Sequence, residues 1–347
     1  MTWMLYGANG YTGRLIAQVA ARRGEQPIMA GRTAGKIAPI ANELGFDHRQ
    51  VGLSDPAALR VALRDVDVVA HCAGPFSATA APMMDACLAT GTHYLDITGE
   101  IDVFEAVYAR HHDALRAGVV LLPGAGFDVV PTDCVAATLA AEMPDATELH
   151  LAFHGTVKIG PGTAKTAIEG AGTGGRARVG GRLRSVPLAH RHVTAEFPSG
   201  PKVVHAIPWG DVSSAYRSTG IPDITTYTVL PGGRAIGKGS SWLAPVLRTP
   251  VVQRAGKALV QRLLTAPASA EAGGRAQVWG QVRDASGARL SLTMTLPAAI
   301  PFTADSVLRA VNQLRAGGVE AGAHTPSTAF GAGFAAECDG VALGEPH

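Results

Sequence analysis

Gly7-Ala8-Asn9-Gly10-Tyr11-Thr12-Gly13 follows the short apolar run Trp3-Met4-Leu5-Tyr6 and reads as a strand, a tight glycine turn and the start of a helix. Glycines at this spacing let the backbone turn sharply, approach a pyrophosphate with no Cβ in the way, and seat the next helix on a sheet. The helix N-terminus then presents free N–H groups to an anion. A lone G-x-x-G-x-x-G is a weak signal, so the residues after it decide the fold.

After Gly13 the apolar positions Leu15, Ile16, Val19 and Ala20 recur at helical spacing until Gly24, and Pro27 to Ala30 form a second strand. That strand runs into Gly31-Arg32, about 20 residues beyond the last motif glycine, where an NAD-binding protein usually carries Asp or Glu for the ribose 2′-hydroxyl. No carboxylate stands here. Arg32, with Thr33 and Lys36, supplies positive charge suited to a 2′-phosphate and hence to NADP. The alternative is three ordinary surface residues at a helix start.

Strand and helix then alternate. The spacing predicts a helix over 34–44 closed by Gly45, a strand from His48 to Val51, and a helix opened by Ser54-Asp55-Pro56 with Ser54 as N-cap. Val66 to Cys72 is a near-continuous apolar run, as expected of a parallel strand buried on both faces. It ends in Ala73-Gly74-Pro75-Phe76, where ligands of doubly wound sheets lie. A helix over 79–89, a strand from Thr92 to Ile97, a helix over 101–116 and a strand from Val119 to Leu122 follow, then a helix over 132–142. Six such cycles predict a Rossmann-type doubly wound parallel sheet.

The strand ends also gather Asp96, Thr98, Glu100, Asp128, Thr132 and Asp133. Carboxyl groups there suit proton transfer. They equally suit helix capping, for Asp128 and Thr132, or a backbone turn, for Asp96.

The chain has 347 residues, 47% hydrophobic and 17% charged, with a formal net charge of +2. That balance gives no reason to expect nucleic acid, and no apolar run reaches the roughly 18 residues of a membrane span. The early glycine motif leaves no room for a signal peptide, so a cytoplasmic location is expected. Cys72, Cys87, Cys134 and Cys338 form no C-x-x-C pair, and no metal site is expected. His190 and His192, near Arg182, Arg184 and Arg191, read as a solvated polar loop.

Five separated segments, GANGYTG at 7–13, AGR at 30–32, CAGPF at 72–76, HYLDITGE at 93–100 and PGAGFDVVPTD at 123–133, together resemble the saccharopine dehydrogenase-like oxidoreductases, in the branch similar to trans-acting enoyl reductases. The resemblance implies an NADP(H)-binding Rossmann domain followed by an α/β substrate domain. It implies Gly7, Asn9, Gly10, Tyr11, Thr12 and Gly13 as the pyrophosphate loop. It implies Arg32 at the 2′-phosphate end and Ala73, Gly74, Pro75 and Phe76 beside the nicotinamide ribose, and the neighbouring Gly31, Lys36 and Cys72 join them as candidate cofactor-binding residues. The acidic residues of the DITGE and GFDVVP segments line the expected active cleft, with no general acid singled out.

From Thr147 the pattern changes to Leu149, Leu151 and Phe153 alternating with polar or small residues, the mark of a mixed or antiparallel sheet. The expected layout is a Rossmann domain over 1–144 and an α+β substrate and oligomerisation domain over 145–347, whose tail from about 320 packs back on the first. Gly160 to Thr166, with Lys165, reads as a glycine turn into a helix, and Gly170 to Gly181 as a glycine-rich loop. Tyr216, close to Trp209 and Asp211, is a candidate proton donor or a packed phenol. Residues 242–264 carry a helix with a basic face of Arg248, Arg254, Lys257 and Arg262, suited to a dimer face or an anionic surface. Residues 275–283 and 288–296 form a hairpin, and a helix over 304–316 takes Thr303 as N-cap.

The leading expectation is an NADPH-dependent oxidoreductase delivering hydride to a C=C bond of a small or acyl substrate, enoyl-type, as a homodimer. Candidate catalytic residues are Asp96, Glu100, Asp128 and Tyr216. A C=N reductase or amino-acid dehydrogenase of saccharopine type is the alternative, and an NADP-binding sensor or scaffold the non-enzymatic one. The cofactor reading makes a direct prediction. Arg32→Asp lowers affinity for NADP relative to NAD by about tenfold or more, because a guanidinium–phosphate contact becomes a repulsion. Fluorescence titration with both cofactors checks this; an unchanged ratio would refute it.

Overall fold

The computed structural model describes residues 1–155, 174–230 and 274–347. The expected turn at Gly160 to Thr166, the start of the 170–181 loop and the basic helix of 242–264 lie outside the described residues. The chain divides into two compact units, Met1–Val130 with Ala299–Asp339, and Pro131–Ala298 with Gly340–His347.

The first unit is built on seven parallel strands: β1 (Trp3–Tyr6), β2 (Ile28–Gly31), β3 (His48–Gln50), β4 (Val68–His71), β5 (His93–Asp96), β6 (Val120–Leu122) and β15 (Gly322–Ala323). Their order is β15-β6-β5-β4-β1-β2-β3. The sheet reverses direction of winding between β1 and β4, which places the ends of these two strands at its switch point. Trp3 to Tyr6 and Val68 to His71 are buried throughout, as the continuous apolar runs require.

Helices α1 (Tyr11–Arg22), α2 (Ala34–Leu44), α3 (Pro56–Leu63), α4 (Phe76–Thr90), α5 (Ile101–Ala109) and α6 (His111–Ala117) link these strands. Several boundaries differ from the sequence reading for local reasons. Asp55, not Ser54, caps α3, accepting from the Ala57 and Ala58 amides. The expected single helix over 101–116 breaks at Arg110 into α5 and α6. α4 begins at Phe76, directly after Pro75, rather than at residue 79.

The larger difference is in the domain division. The boundary expected at 144/145 lies at 130/131, because α7 (Val130–Glu142) packs on the second sheet. A Cβ on Gly280 would come within 2.5 Å of Val135 and 3.0 Å of Leu139, so only glycine admits the helix there. In the other direction, the helix over Ala299–Ala316 returns to the first unit, where it packs along α1 and against β4.

The second unit holds a nine-stranded mixed sheet with the path β10-β11-β12-β7-β13-β14-β16. These strands are β7 (Ala146–Gly155), β10 (His192–Phe197), β11 (Gly200–Ile207), β12 (Asp223–Thr228), β13 (Arg275–Asp284), β14 (Arg289–Pro297) and β16 (Ala342–Leu343). β12 and β7 run parallel and the other neighbours on the path antiparallel. β8 (Gly175–Val179) and β9 (Arg182–Val186) form a hairpin on β12. The described part of the expected 170–181 loop is therefore strand and turn, with Gly180 and Gly181 at positive φ in the turn. Helix α8 (Asp211–Thr219) follows β11. We number the returning helix over Ala299–Ala316 α9, and the short helix over Pro326–Phe330 α10. No helix among the described residues is long and apolar enough to cross a membrane. Among them, no group of three His, Cys, Asp or Glu could hold a metal ion.

One buried carboxylate ties the returning segment down. Asp305 on α9 accepts from Arg23, which caps the C-terminus of α1, from Arg309 Nε at 3.1 Å, and from the Asp339 amide at 2.7 Å. Burial works to raise the Asp305 carboxyl, and the Asp339 amide with the two arginines outweighs it, leaving the group below the ordinary carboxylate value of 3.8. Its stabilising contribution is therefore present above about pH 4 and lost as pH falls through the folded-state value. Asp305→Asn should cost about 1–3 kcal/mol at neutral pH, with the difference from the parent shrinking in acid. Urea denaturation across pH checks this; a pH-independent difference would contradict it.

Candidate cofactor and active site

The carboxyl ends of β1, β2, β4, β5 and β6 bring five loops of the first unit to one edge of its sheet. Gly7 leaves β1 at φ +84°, and a Cβ there would lie 2.8 Å from the Ala73 nitrogen and 2.9 Å from the Cys72 carbonyl carbon. A Cβ on Gly13 would sit 2.5 Å from the Gly7 oxygen, so α1 also starts hard against the strand end. Gly10 approaches the same oxygen, its amide donating to it at 2.9 Å. The three glycines thus serve backbone contacts with each other and with the β4 loop.

α1 opens at this edge with no side-chain cap and no acidic residue in its first turn. Its dipole and N–H groups suit an anion. At the end of β2, Arg32 and Lys36 are exposed, and neither makes an ion pair among the described residues. Asn9 turns its side-chain oxygen toward Gly31, 3.6 Å from where a Cβ would be. No carboxylate stands at the ribose position. An uncapped helix start, a glycine cradle and two unpaired cations fit a phosphorylated dinucleotide.

Beyond β4, the Gly74–Pro75 peptide is cis and both residues are exposed. Glu100 holds this loop. Its two carboxylate oxygens accept from the amides of Phe76 at 2.9 Å and Ser77 at 2.8 Å. Thr79 adds a hydroxyl donated to the Ala73 carbonyl at 2.7 Å. Glu100, read from the sequence as a candidate catalyst, therefore caps α4 from 24 residues away. Beneath the loop lies His71, fully buried and ringed by Tyr6, Phe76 and Tyr94. Burial takes its imidazole down to about 3, so it stays neutral. In the sequence His71 stands within an otherwise apolar strand, with no spacing that marks it as part of a site.

Asp96 is fully buried at the end of β5. It accepts from the Tyr94 hydroxyl at 2.5 Å and from the Thr98 and Gly124 amides at 2.9 Å each. Burial pushes its carboxyl up to about 6 although these hydrogen bonds pull it down. The Ala125 amide reaches the Asp96 carbonyl at 2.7 Å, so Asp96 joins the end of β5 to the loop after β6.

Asp128 stands in that loop, in a turn closed by the Val129 and Val130 amides on the Gly126 carbonyl. One carboxylate oxygen lies 3.0 Å from where a Cβ on Gly99 would be. Burial pushes this group up to about 7. That is above the value for Asp96 at the same edge.

Tyr216, the fourth candidate catalyst, belongs to the second unit, on α8. The Arg178 guanidinium lies 4.2 Å above the centre of its ring, fixed in turn by the Val212 and Gly181 carbonyls. That contact gives the ring a packing role.

The Glu100 clamp is testable. Glu100→Ala leaves two helix-start amides without their acceptor, which should cost about 1–2 kcal/mol of stability and weaken NADPH binding. Glu100→Gln, which keeps one acceptor oxygen, should fall between. Thermal melting with cofactor titration checks this, and wild-type binding by the alanine variant would contradict it.

Residues 3–122 match the family model described as "Saccharopine dehydrogenase NADP binding domain". The mouse saccharopine dehydrogenase-like oxidoreductase is 30% identical over 210 residues, covering 53% of this chain and 48% of that protein. A Mycobacterium tuberculosis protein provisionally named a trans-acting enoyl reductase is 31% identical over 138 residues, covering 38% of this chain and 33% of its own length. The matches thus span about half or less of these relatives. In fold, the chain is similar over its whole length to the Saccharomyces cerevisiae saccharopine dehydrogenase that forms L-glutamate, with a TM-score of 0.70 at 11% identity, covering 99% of that chain. Residues 3–122 thus match a saccharopine dehydrogenase-type NADP-binding domain, and the chain is similar over about half of its length to saccharopine dehydrogenase-like oxidoreductases.

Proposed function

We propose that this protein is an NADPH-dependent oxidoreductase that reduces the C=C bond of an enoyl-type substrate, with Asp128 as the acid that completes the reduction. When bound, NADPH supplies a hydride to the substrate and leaves as NADP⁺. The chain's own part is to bind, orient and protonate. Tyr11 to Gly13 offer amides to the pyrophosphate, Arg32 and Lys36 take the 2′-phosphate, and the loop over Cys72 to Phe76, held by Glu100, lies along the nicotinamide ribose.

The observation that carries the reading is the place of Asp128, its carboxylate against Gly99 at the same sheet edge as the glycine cradle, where burial pushes the group up to about 7. An acid of that strength is partly protonated at neutral pH and so can donate, as an ordinary carboxyl cannot. Asp96 and Glu100 are engaged with backbone amides. The enoyl choice is supported by the M. tuberculosis relative's name. The names of the mouse and yeast proteins support the other reading, reduction of a C=N bond, in which the same acid would protonate nitrogen. A cytoplasmic homodimer remains part of the proposal, with sedimentation analysis to check the oligomer.

Loss of NADPH absorbance in the presence of enoyl thioesters, cyclic imines or carbonyl compounds separates these. Turnover of enoyl thioesters supports the proposal, turnover of imines alone supports the second reading, and tight NADPH binding with no turnover indicates a sensor. Asp128→Asn should lower kcat about 10²-fold or more with NADPH affinity nearly unchanged. Wild-type kcat in that variant would remove Asp128 from the mechanism.

A further inference from the structure

The turn that carries Asp128 is held by a helix that enters the first unit about 170 residues later, and the contacts are specific. Thr303 on α9 places its hydroxyl between two backbone groups. It accepts from the Phe127 amide at 3.0 Å and donates to the Ala299 carbonyl at 2.8 Å. Its methyl group packs on Gly126 so closely that a Cβ there would lie 2.9 Å away. One turn further along α9, the Ser306 hydroxyl donates to the Ala125 carbonyl at 2.8 Å. Phe302 meets the Phe127 ring edge-on at 6.4 Å. Both hydroxyl residues are buried. Thr303 is not the N-cap expected from the sequence. It stands inside α9, which starts at Ala299, and its hydroxyl is directed at a neighbouring loop.

We propose that Thr303 is the positioning residue for Asp128, setting the turn over Gly126 to Val130 so that the half-buried carboxyl is held against Gly99. This rests on the reading of Asp128 as the proton donor, and it adds the element of the fold that makes it one. Phe127 immediately precedes Asp128, and the Gly126 carbonyl closes the turn by accepting from the Val129 and Val130 amides. Fixing the Phe127 amide and the Gly126 α-carbon therefore fixes the turn at its entry. Without the Thr303 hydroxyl the buried amide lacks its acceptor, and the turn gains by opening toward water. Solvation of Asp128 would then relax its carboxyl toward ordinary values.

The test follows the Asp128 carboxyl by ¹³C NMR in the full chain labelled at aspartate side-chain carbons, with Asp128→Asn identifying the signal. Thr303→Val keeps the shape and removes the hydroxyl, whereas Thr303→Ser keeps the hydroxyl and removes the methyl group. The proposal expects the titration midpoint to fall by about one pH unit in Thr303→Val and to stay near the parent value in Thr303→Ser. Gly126→Ala, which crowds the Thr303 methyl, should lower it as well and serves as the second variant if Thr303→Val does not fold. A midpoint unchanged in a folded Thr303→Val protein, or in folded Gly126→Ala where the valine variant is lost, would overturn the proposal and leave Thr303 a purely structural contact. The readout needs no substrate. If Asp128→Asn retains full turnover, the proton-donor reading fails while the dependence of Asp128 on Thr303 is still measured.

Discussion

The backbone contact between Gly7 and the Cys72–Ala73 peptide is the constraint on which the rest of the first unit depends. β1 and β4 are neighbours at the switch point of the sheet, and their loops meet where any side chain on residue 7 would collide with main chain. Because the loops are in contact, the start of α1 and the Gly74–Pro75 turn form one continuous surface. In the proposed reading, a dinucleotide laid along it would meet helix amides at its pyrophosphate and the β4 loop at its far end. The uncapped start of α1 is a cost to an empty helix, and an anion removes that cost.

Around that contact, each neighbouring loop is fixed by a polar group taken from a distant part of the chain. Glu100 holds the start of α4, Asp96 joins the ends of β5 and β6, and Thr303 and Ser306 hold the turn after β6. Three carboxyl groups at one edge thereby acquire different tasks. Glu100 and Asp96 accept backbone amides, while burial raises the Asp128 carboxyl, which the proposed function takes as its proton donor.

Much of this was legible in the sequence because the signals are local. The glycine spacing, the absence of a carboxylate at the end of the second strand, and the alternation of apolar runs with helical periodicity each lie within about 30 residues, the length of one βαβ unit. The tasks of the acids were not legible. Glu100 caps a helix that starts 24 residues before it, and nothing in the spacing shows that its oxygens meet those amides. The return of α9 was hidden for the same reason. Its apolar positions fit either unit, and the membership is decided by Asp305 meeting Arg23 and by Thr303 meeting Phe127, contacts across 282 and 176 residues. Thr303 looked like an N-cap because threonine before a helical pattern usually is one. Tyr216 drew attention as a phenol beside a carboxylate, and the structure puts its ring under Arg178 instead.

Amide hydrogen exchange with and without NADPH tests the central claim, that this sheet edge is the cofactor's seat, most directly. The account predicts slowed exchange in peptides covering residues 7–14, 32–36 and 72–77, with the amides of Tyr11, Thr12 and Gly13 protected as they take up the pyrophosphate. Protection confined to the second unit, or binding of NADPH with exchange at these three loops unchanged, would contradict it.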